Sequence, residues 1–115
     1  MPLTPRDRLA RLPGWAIAAL DAFDRRDRAT LVLNARMILA DLRAAGLLAP
    51  EPPEARSGPA DAACQRRALA RAARSLLEMY LAHSVGQEDL AVAHALEATD
   101  ALARFACDDY RLPGL

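Results

Sequence analysis

A proline-rich segment divides the sequence into two halves, each long enough for a pair of helices. Proline lacks the backbone N–H that helices and sheet ladders use, so a cluster of prolines excludes both structures. Residues 49–60 are therefore predicted to form an extended linker, long enough to cross one end of a small bundle. The residues that exclude regular structure there are Pro50, Pro52, Pro53, Gly58 and Pro59.

Two helices are predicted before this linker. The first begins at Thr4-Pro5, where threonine can cap the helix and proline suits the first helical position. Pro13-Gly14 then interrupts the pattern, so either a short helix ends there or a kinked helix resumes at Trp15. The second helix spans about Asp27 to Ala45 and is followed by Gly46 as a C-terminal cap. Its apolar stripe is Leu31, Ala35, Ile38, Leu42 and Ala45, widened by Val32 and Leu39.

Two further helices are predicted after the linker. The third runs from near Asp61 to about His83, and the fourth from about Glu88 to Asp108, with a short turn between them. Residues 109–115 contain Pro113-Gly114 and are predicted to be irregular. The outer face of the fourth helix is expected to carry His94, Glu97, Asp100 and Arg104. Its inner face is expected to carry Ala91, Val92, Ala95, Leu96, Ala98, Leu102, Phe105 and Ala106.

These elements predict one all-α domain over residues 1–115. Short turns within each half favour antiparallel neighbours, so the expected architecture is an antiparallel four-helix bundle of two helical hairpins joined by the proline-rich crossover. Apolar residues make up 53% of the chain and many of them are alanine, which predicts a thin core with closely spaced helices. No sustained period-two alternation favours a strand.

Charge and composition exclude several classes of partner. Fifteen arginines balance fifteen acidic residues, and the clear basic excess of nucleic-acid-binding proteins is missing. No apolar run approaches the ~20 residues of a membrane span, and the first ten residues lack the apolar core of a signal peptide. We therefore expect a cytoplasmic protein that binds neither nucleic acid nor membrane.

Polar residues near the predicted third turn are the candidates for a metal site. They are His83, Glu88, Asp89, His94 and Glu97. A di-iron site in a helical bundle needs a Glu-x-x-His pattern on two helices, whereas here the order is reversed and occurs once. Solvated polar residues are the favoured interpretation, and no metal or cofactor is predicted.

The two cysteines offer no recognisable catalytic pattern. Cys64 and Cys107 have neither CxxC spacing nor an accompanying oxyanion-type turn, so no catalytic residue is predicted and the chain is not expected to be an enzyme. Because both lie at similar distances from a turn centred near Gly86, a disulfide between them is geometrically conceivable. Two buried, reduced thiols are the alternative.

Residues on the edges of the predicted helices are candidates for contacts with another protein. An amphipathic helix of a client would lie between helices and contact these side chains, although core packing is the alternative for each. Arginines at spacings of four and three form a second candidate surface, either a solvated face or a docking strip for an acidic partner helix. The apolar candidates are Trp15, Val32, Leu39, Leu77 and Leu81, and the basic ones are Arg67, Arg71 and Arg74.

Several segments resemble one protein family in layout. Thr4-Pro5 through Phe23 provides a capped amphipathic helix, and Arg26-Asp27 provides a polar turn after it. Ile38 to Leu42 has an Ile-x-x-x-Leu pattern, and Leu76 to Phe105 forms a final hairpin. In these features the chain resembles the flagellin-specific export chaperones of bacterial flagella. The resemblance implies a cytosolic helical bundle that holds the C-terminal part of flagellin before secretion. The proline-rich insert and the broken first helix depart from the family pattern.

Two other functions are compatible with the same sequence. A homo-oligomeric structural or adaptor protein would pack its alanine-rich faces against copies of itself. A small helical enzyme or ligand-binding subunit would instead bring polar residues together in a buried pocket.

Overall fold

The structure is a computed structural model that describes residues 4–47 and 62–106. Within these ranges the secondary structure is helical and no strand occurs, which confirms the predicted all-α class. The predicted linker at 49–60 and tail at 109–115 lie outside the described residues. The helices are α1 (Pro5–Asp24), α2 (Arg28–Ala44), α3 (Ala62–Ser84) and α4 (Glu88–Leu102), and a one-turn 3₁₀-helix (Ala103–Ala106) follows α4.

Helix α1 is continuous through the proline that was expected to interrupt it. Thr4 Oγ1 accepts a hydrogen bond from the Asp7 N–H, and the Asp7 carboxylate accepts one from the Thr4 N–H, which completes a capping box. Pro13 lies inside the helix, and Gly14 is exposed to open space. The helix therefore does not end at Pro13-Gly14, which was one of the two alternatives, but continues past Trp15.

Helix α2 begins and ends close to the predicted positions because both of its caps form. The Asp27 carboxylate accepts hydrogen bonds from the Thr30 hydroxyl at 2.6 Å and the Thr30 N–H at 3.2 Å. The hydroxyl bond and then the backbone bond hold the pKa of Asp27 below its usual value, because both stabilise the ionised form. At the other end Gly46 adopts a φ of 76°, as expected of a residue that ends a helix.

The core lies between the four α-helices, each of which contributes buried side chains to it. Helix α3 packs against both α4 and α1, α1 packs against α2, and the 3₁₀-helix contacts α2 and α4. Phe105 of the 3₁₀-helix meets Phe23 of α1 edge to face, with ring centroids 6.4 Å apart. Many alanines are buried among the described residues, namely Ala16, Ala19, Ala22, Ala35, Ala72, Ala82, Ala91, Ala95, Ala98 and Ala103.

The predicted inner face of the fourth helix was partly wrong. Val92 and Leu96 were expected inside, but they are 36% and 54% exposed. Helix α4 has apolar residues on most of its circumference, so the spacing of apolar residues does not define a single buried face. Helix α4 also ends at Leu102, before the predicted end at Asp108, and continues as a 3₁₀-helix over the rest of its described length.

The turn between α3 and α4 depends on one glycine. Gly86 has a φ of 80°, which side chains other than glycine rarely adopt, although a Cβ there would meet no atom within 4 Å. We expect Gly86→Ala to lower the free energy of unfolding by about 1–2 kcal/mol through backbone strain alone. The matched control is Gly14→Ala inside α1, which should raise it by about 0.5–1 kcal/mol. Urea denaturation measures both changes, and equal shifts of the same sign would contradict the assigned backbone conformations.

Candidate functional site

An open cavity lies beside the turn that joins α3 to α4. Its volume is about 390 Å³. Three of its apolar side chains are exposed, namely Leu81 at 55%, Val85 at 71% and Leu90 at 46%. Helix turns usually carry polar residues, whereas clustered apolar side chains at the surface mark places where another molecule binds. We call this the turn cavity, and its lining residues are Glu78, Leu81, Ala82, Ser84, Val85, Gln87, Leu90 and His94.

The local sequence fixes the positions of these apolar side chains. The Gln87 N–H donates to the Ala82 carbonyl at 2.9 Å, and the positive φ of Gly86 reverses the chain after Val85. Leu90 follows in the first turn of α4, where side chains point back toward the helix N-terminus. The two leucines and the valine therefore surround one depression between two helices.

A polar cluster borders the turn cavity on the side away from the turn. The enclosed Nδ1 atom of His94 lies 3.3 Å from Glu78 Oε2 and 3.5 Å from Glu97 Oε2, at angles that form no hydrogen bond. Glu78 also pairs with Arg74 at 3.2 Å. His94 was predicted on the solvated outer face, and this was wrong because its imidazole is only 18% exposed and packs toward α3.

The polar cluster lacks the order of contacts that nucleophilic catalysis requires. Ser75 Oγ donates to Glu97 Oε2 at 3.3 Å, so the hydroxyl is bonded to the carboxylate and not to the imidazole. An activated serine needs the base itself as its hydrogen-bond partner. The hydrogen bond from Ser75 to Glu97 joins α3 to α4.

The residues considered for metal binding do not assemble into a site. His83 Nδ1 lies 2.9 Å from Glu88 Oε1 across the turn, and His94 lies with Glu78 and Glu97. Among residues 4–47 and 62–106, no group of three or more potential ligand side chains has an arrangement that could hold a metal ion. Cys64 is exposed near the start of α3, so the expectation that it is buried was wrong, whereas Cys107 and the conceivable disulfide lie outside the described residues.

The predicted arginine strip lies on the exposed surface of α3. The Arg67 guanidinium approaches Cys64 Sγ at 3.5 Å, and Arg74 pairs with Glu78. Arg71 is exposed and forms no ion pair with any residue that the structure describes. The neighbouring Arg66 is bound differently, because two hydrogen bonds of 3.0 and 3.2 Å join it to Asp24 of α1. Those bonds and the charge of Asp24 raise the pKa of Arg66.

The apolar residues predicted to contact a partner have different positions in the structure. Val32 and Leu39 are 8% and 2% exposed and belong to the core, which is the alternative that the sequence left open for both. Trp15 packs partly against the core, with the Arg11 guanidinium 4.2 Å from its ring centroid. Leu77 and Leu81 are both exposed, and Leu81 alone of the five lines the turn cavity.

Sequence reasoning missed two residues of the cavity, Val85 and Leu90. Both are apolar, both lie within four positions of Gly86, and neither belongs to the buried stripe of a helix. That combination is the signal that points to an apolar surface at a turn. None of the described helices has a stretch both long and apolar enough to cross a bilayer.

Comparison with known proteins identifies no relative of this chain. No protein-family model matches it, and neither a curated protein nor a solved structure shows significant similarity. Its function is therefore inferred from the geometry of its own residues.

Proposed function

We propose that this chain is a non-catalytic protein-binding domain, whose turn cavity receives an apolar side chain from an amphipathic helix of a partner protein. The observation that supports this is the convergence of Leu81, Val85 and Leu90 around one open depression. Burying these side chains against a partner gains free energy in proportion to the apolar area removed from water.

The cavity suits a helix better than a small molecule. It is open to solvent, and its lining comes from the end of α3, the turn and the start of α4. Grooves between helices accept amphipathic helices through anchors spaced three, four and seven residues apart. A leucine or phenylalanine anchor would fill the turn cavity while the rest of the partner helix follows the groove.

The proposed domain is an antiparallel bundle of two helical hairpins. Residues 25–27 and 85–87 join consecutive helices, and such short connections favour antiparallel neighbours. Two contacts support an arrangement in which the end of α1, the start of α3 and the 3₁₀-helix after α4 lie at the same end of the bundle. They are Phe23 against Phe105, and Arg66 against Asp24. In this arrangement the turn cavity lies at the opposite end of the bundle.

The resemblance to flagellin-specific export chaperones suggests one specific client, which would place the protein in the cytoplasm of a flagellated bacterium. A C-terminal flagellin segment would then be the amphipathic helix that the groove receives. A flagellin fragment comprising that segment should bind more tightly than an amphipathic helix of unrelated sequence and equal length. Equal affinities would reject this client and leave the general protein-binding function in place.

The test of the proposed function uses the full chain and a labelled amphipathic helical peptide with leucine anchors. We expect Leu81→Gln/Leu90→Gln to weaken binding about tenfold, since two anchor contacts contribute on the order of 1–2 kcal/mol. Fluorescence anisotropy measures the affinity. The matched control is Leu33→Gln, which changes a leucine that is 57% exposed on α2 and does not line the cavity.

Two outcomes would contradict the proposal. If both variants bind the peptide as wild type does, with unchanged thermal unfolding, the turn cavity is not the binding site. The homo-oligomeric alternative is tested by measuring the molar mass by light scattering over a range of concentrations. A stable dimer that Leu81→Gln/Leu90→Gln converts into a monomer would mean that the cavity is filled by a second copy of this chain.

A further inference from the structure

We infer that the partner helix carries acidic side chains about ten to fourteen positions from the residue that fills the turn cavity. This inference rests on the proposed function and specifies the chemistry of its partner. Its basis is a single exposed stripe of α3 that connects the turn cavity to the arginine strip.

The stripe has the spacing that a second helix follows. Its members recur at intervals of four, three, four, three and four residues, which is the repeat of the seam between two packed helices. All of them are exposed except Glu78, which is partly exposed. In order along the chain, they are Arg67, Arg71, Arg74, Glu78 and Leu81 of α3, and Val85 of the turn that follows it.

Charge changes sharply along this stripe. The end at the turn is apolar, and the end near the start of α3 is basic. Arg71 lies ten residues before Leu81, which corresponds to about 15 Å along a helix, and Arg67 lies about 21 Å away. A partner helix packed along the seam would place residues separated by the same numbers of positions beside them.

The basic end favours carboxylates in particular. Arg67 and Arg71 form no ion pair with a described carboxylate, whereas Arg74 is partly neutralised by Glu78. The N-terminus of α3 adds partial positive charge at the same end. No aromatic side chain is interleaved with the three arginines along α3, and aromatic platforms are what single-stranded nucleic acids need for stacking.

The experiment compares two helical peptides that share the same leucine anchors. One carries glutamates ten and fourteen positions from the anchor, and the other carries lysines there. Wild-type chain should bind the acidic peptide about tenfold more tightly at low ionic strength. The difference should shrink at about 0.5 M salt, because exposed charges are screened.

Two substitutions in the chain test whether the exposed stripe causes the preference for the acidic peptide. Arg71→Glu should abolish or reverse the preference for the acidic peptide, and the lysine peptide should regain affinity. Arg6→Glu makes the same charge change on an exposed arginine of α1 and should leave the preference intact.

The experiment distinguishes failure of the acidic specificity from failure of the proposed function. If both peptides bind wild type equally, and Leu81→Gln/Leu90→Gln weakens both, the groove binds a partner helix but the acidic specificity is rejected. If neither peptide binds wild type, the proposed function fails together with this inference. An oligonucleotide that binds more tightly than the acidic peptide, and is lost in Arg71→Glu, would also overturn the inference.

Discussion

Leu76→Ala is expected to lower the free energy of unfolding by about 3 kcal/mol. Leu76 has no exposed surface and lies midway along α3, the helix that packs against both α1 and α4. Truncation removes buried apolar area and leaves a cavity that the neighbouring helices cannot fully close. For a domain of this size the midpoint of thermal unfolding should fall by on the order of 10–15 °C, as measured by calorimetry.

The adjacent residue is the matched control for this substitution. Leu77 has the same side chain, lies on the same helix and is 48% exposed. Leu77→Ala should therefore cost less than about 1 kcal/mol, since its methyl groups are already partly hydrated. Similar losses for the two variants would mean that α3 presents a different face to the core.

Arg11→Met is expected to lower the free energy of unfolding by about 2–3 kcal/mol. The Arg11 guanidinium joins α1 to α2 through two hydrogen bonds to the Asp41 carboxylate, of 3.0 and 3.3 Å. The Asp41 side chain is 10% exposed, so removing the cation leaves a nearly buried carboxylate without a counter-charge. Methionine keeps an apolar stem but also removes the guanidinium that lies 4.2 Å from the Trp15 ring centroid, so the loss includes this contact as well as the ion pair.

Substitutions of the two partners of this ion pair should lower the free energy of unfolding by unequal amounts. The Arg11 side chain is 37% exposed and can be rehydrated when its partner is removed, so Asp41→Asn should cost less than Arg11→Met. The double variant Arg11→Met/Asp41→Asn should be more stable than Arg11→Met alone, because no charge then remains buried. Chemical denaturation of the four proteins completes a double-mutant cycle. Strict additivity would show that the ion pair contributes no coupling.

The helices could be predicted from the sequence to the extent that local patterns define them. Leu31, Ile38 and Leu42 form a regular stripe bounded by Asp27 and Gly46, and α2 was predicted accurately. Pro13 was ambiguous, because proline inside a helix is decided by packing along the whole element. In α4 the apolar residues surround the helix, so the buried face depends on neighbouring helices rather than on spacing.

The candidate site was less accessible to sequence reasoning. Leu81 was among the predicted contact residues, whereas Val85 and Leu90 were not, because Val85 lies in the turn, Leu90 lies in the first turn of α4, and neither belongs to a buried stripe. The contact between Glu78 and His94 joins two helices and has no local signature. The same holds for Arg11 and Asp41, whose pairing requires the approach of α1 to α2.

The alanine-rich interior has a consequence for how the protein responds to temperature. Alanine carries a single methyl group, so unfolding hydrates less apolar surface per residue than it would for a leucine-rich core. The heat capacity of unfolding should then lie toward the lower end of the usual range of about 12–15 cal/mol/K per residue. A smaller heat capacity flattens the stability curve, which widens the interval between cold and heat denaturation at a given maximum stability.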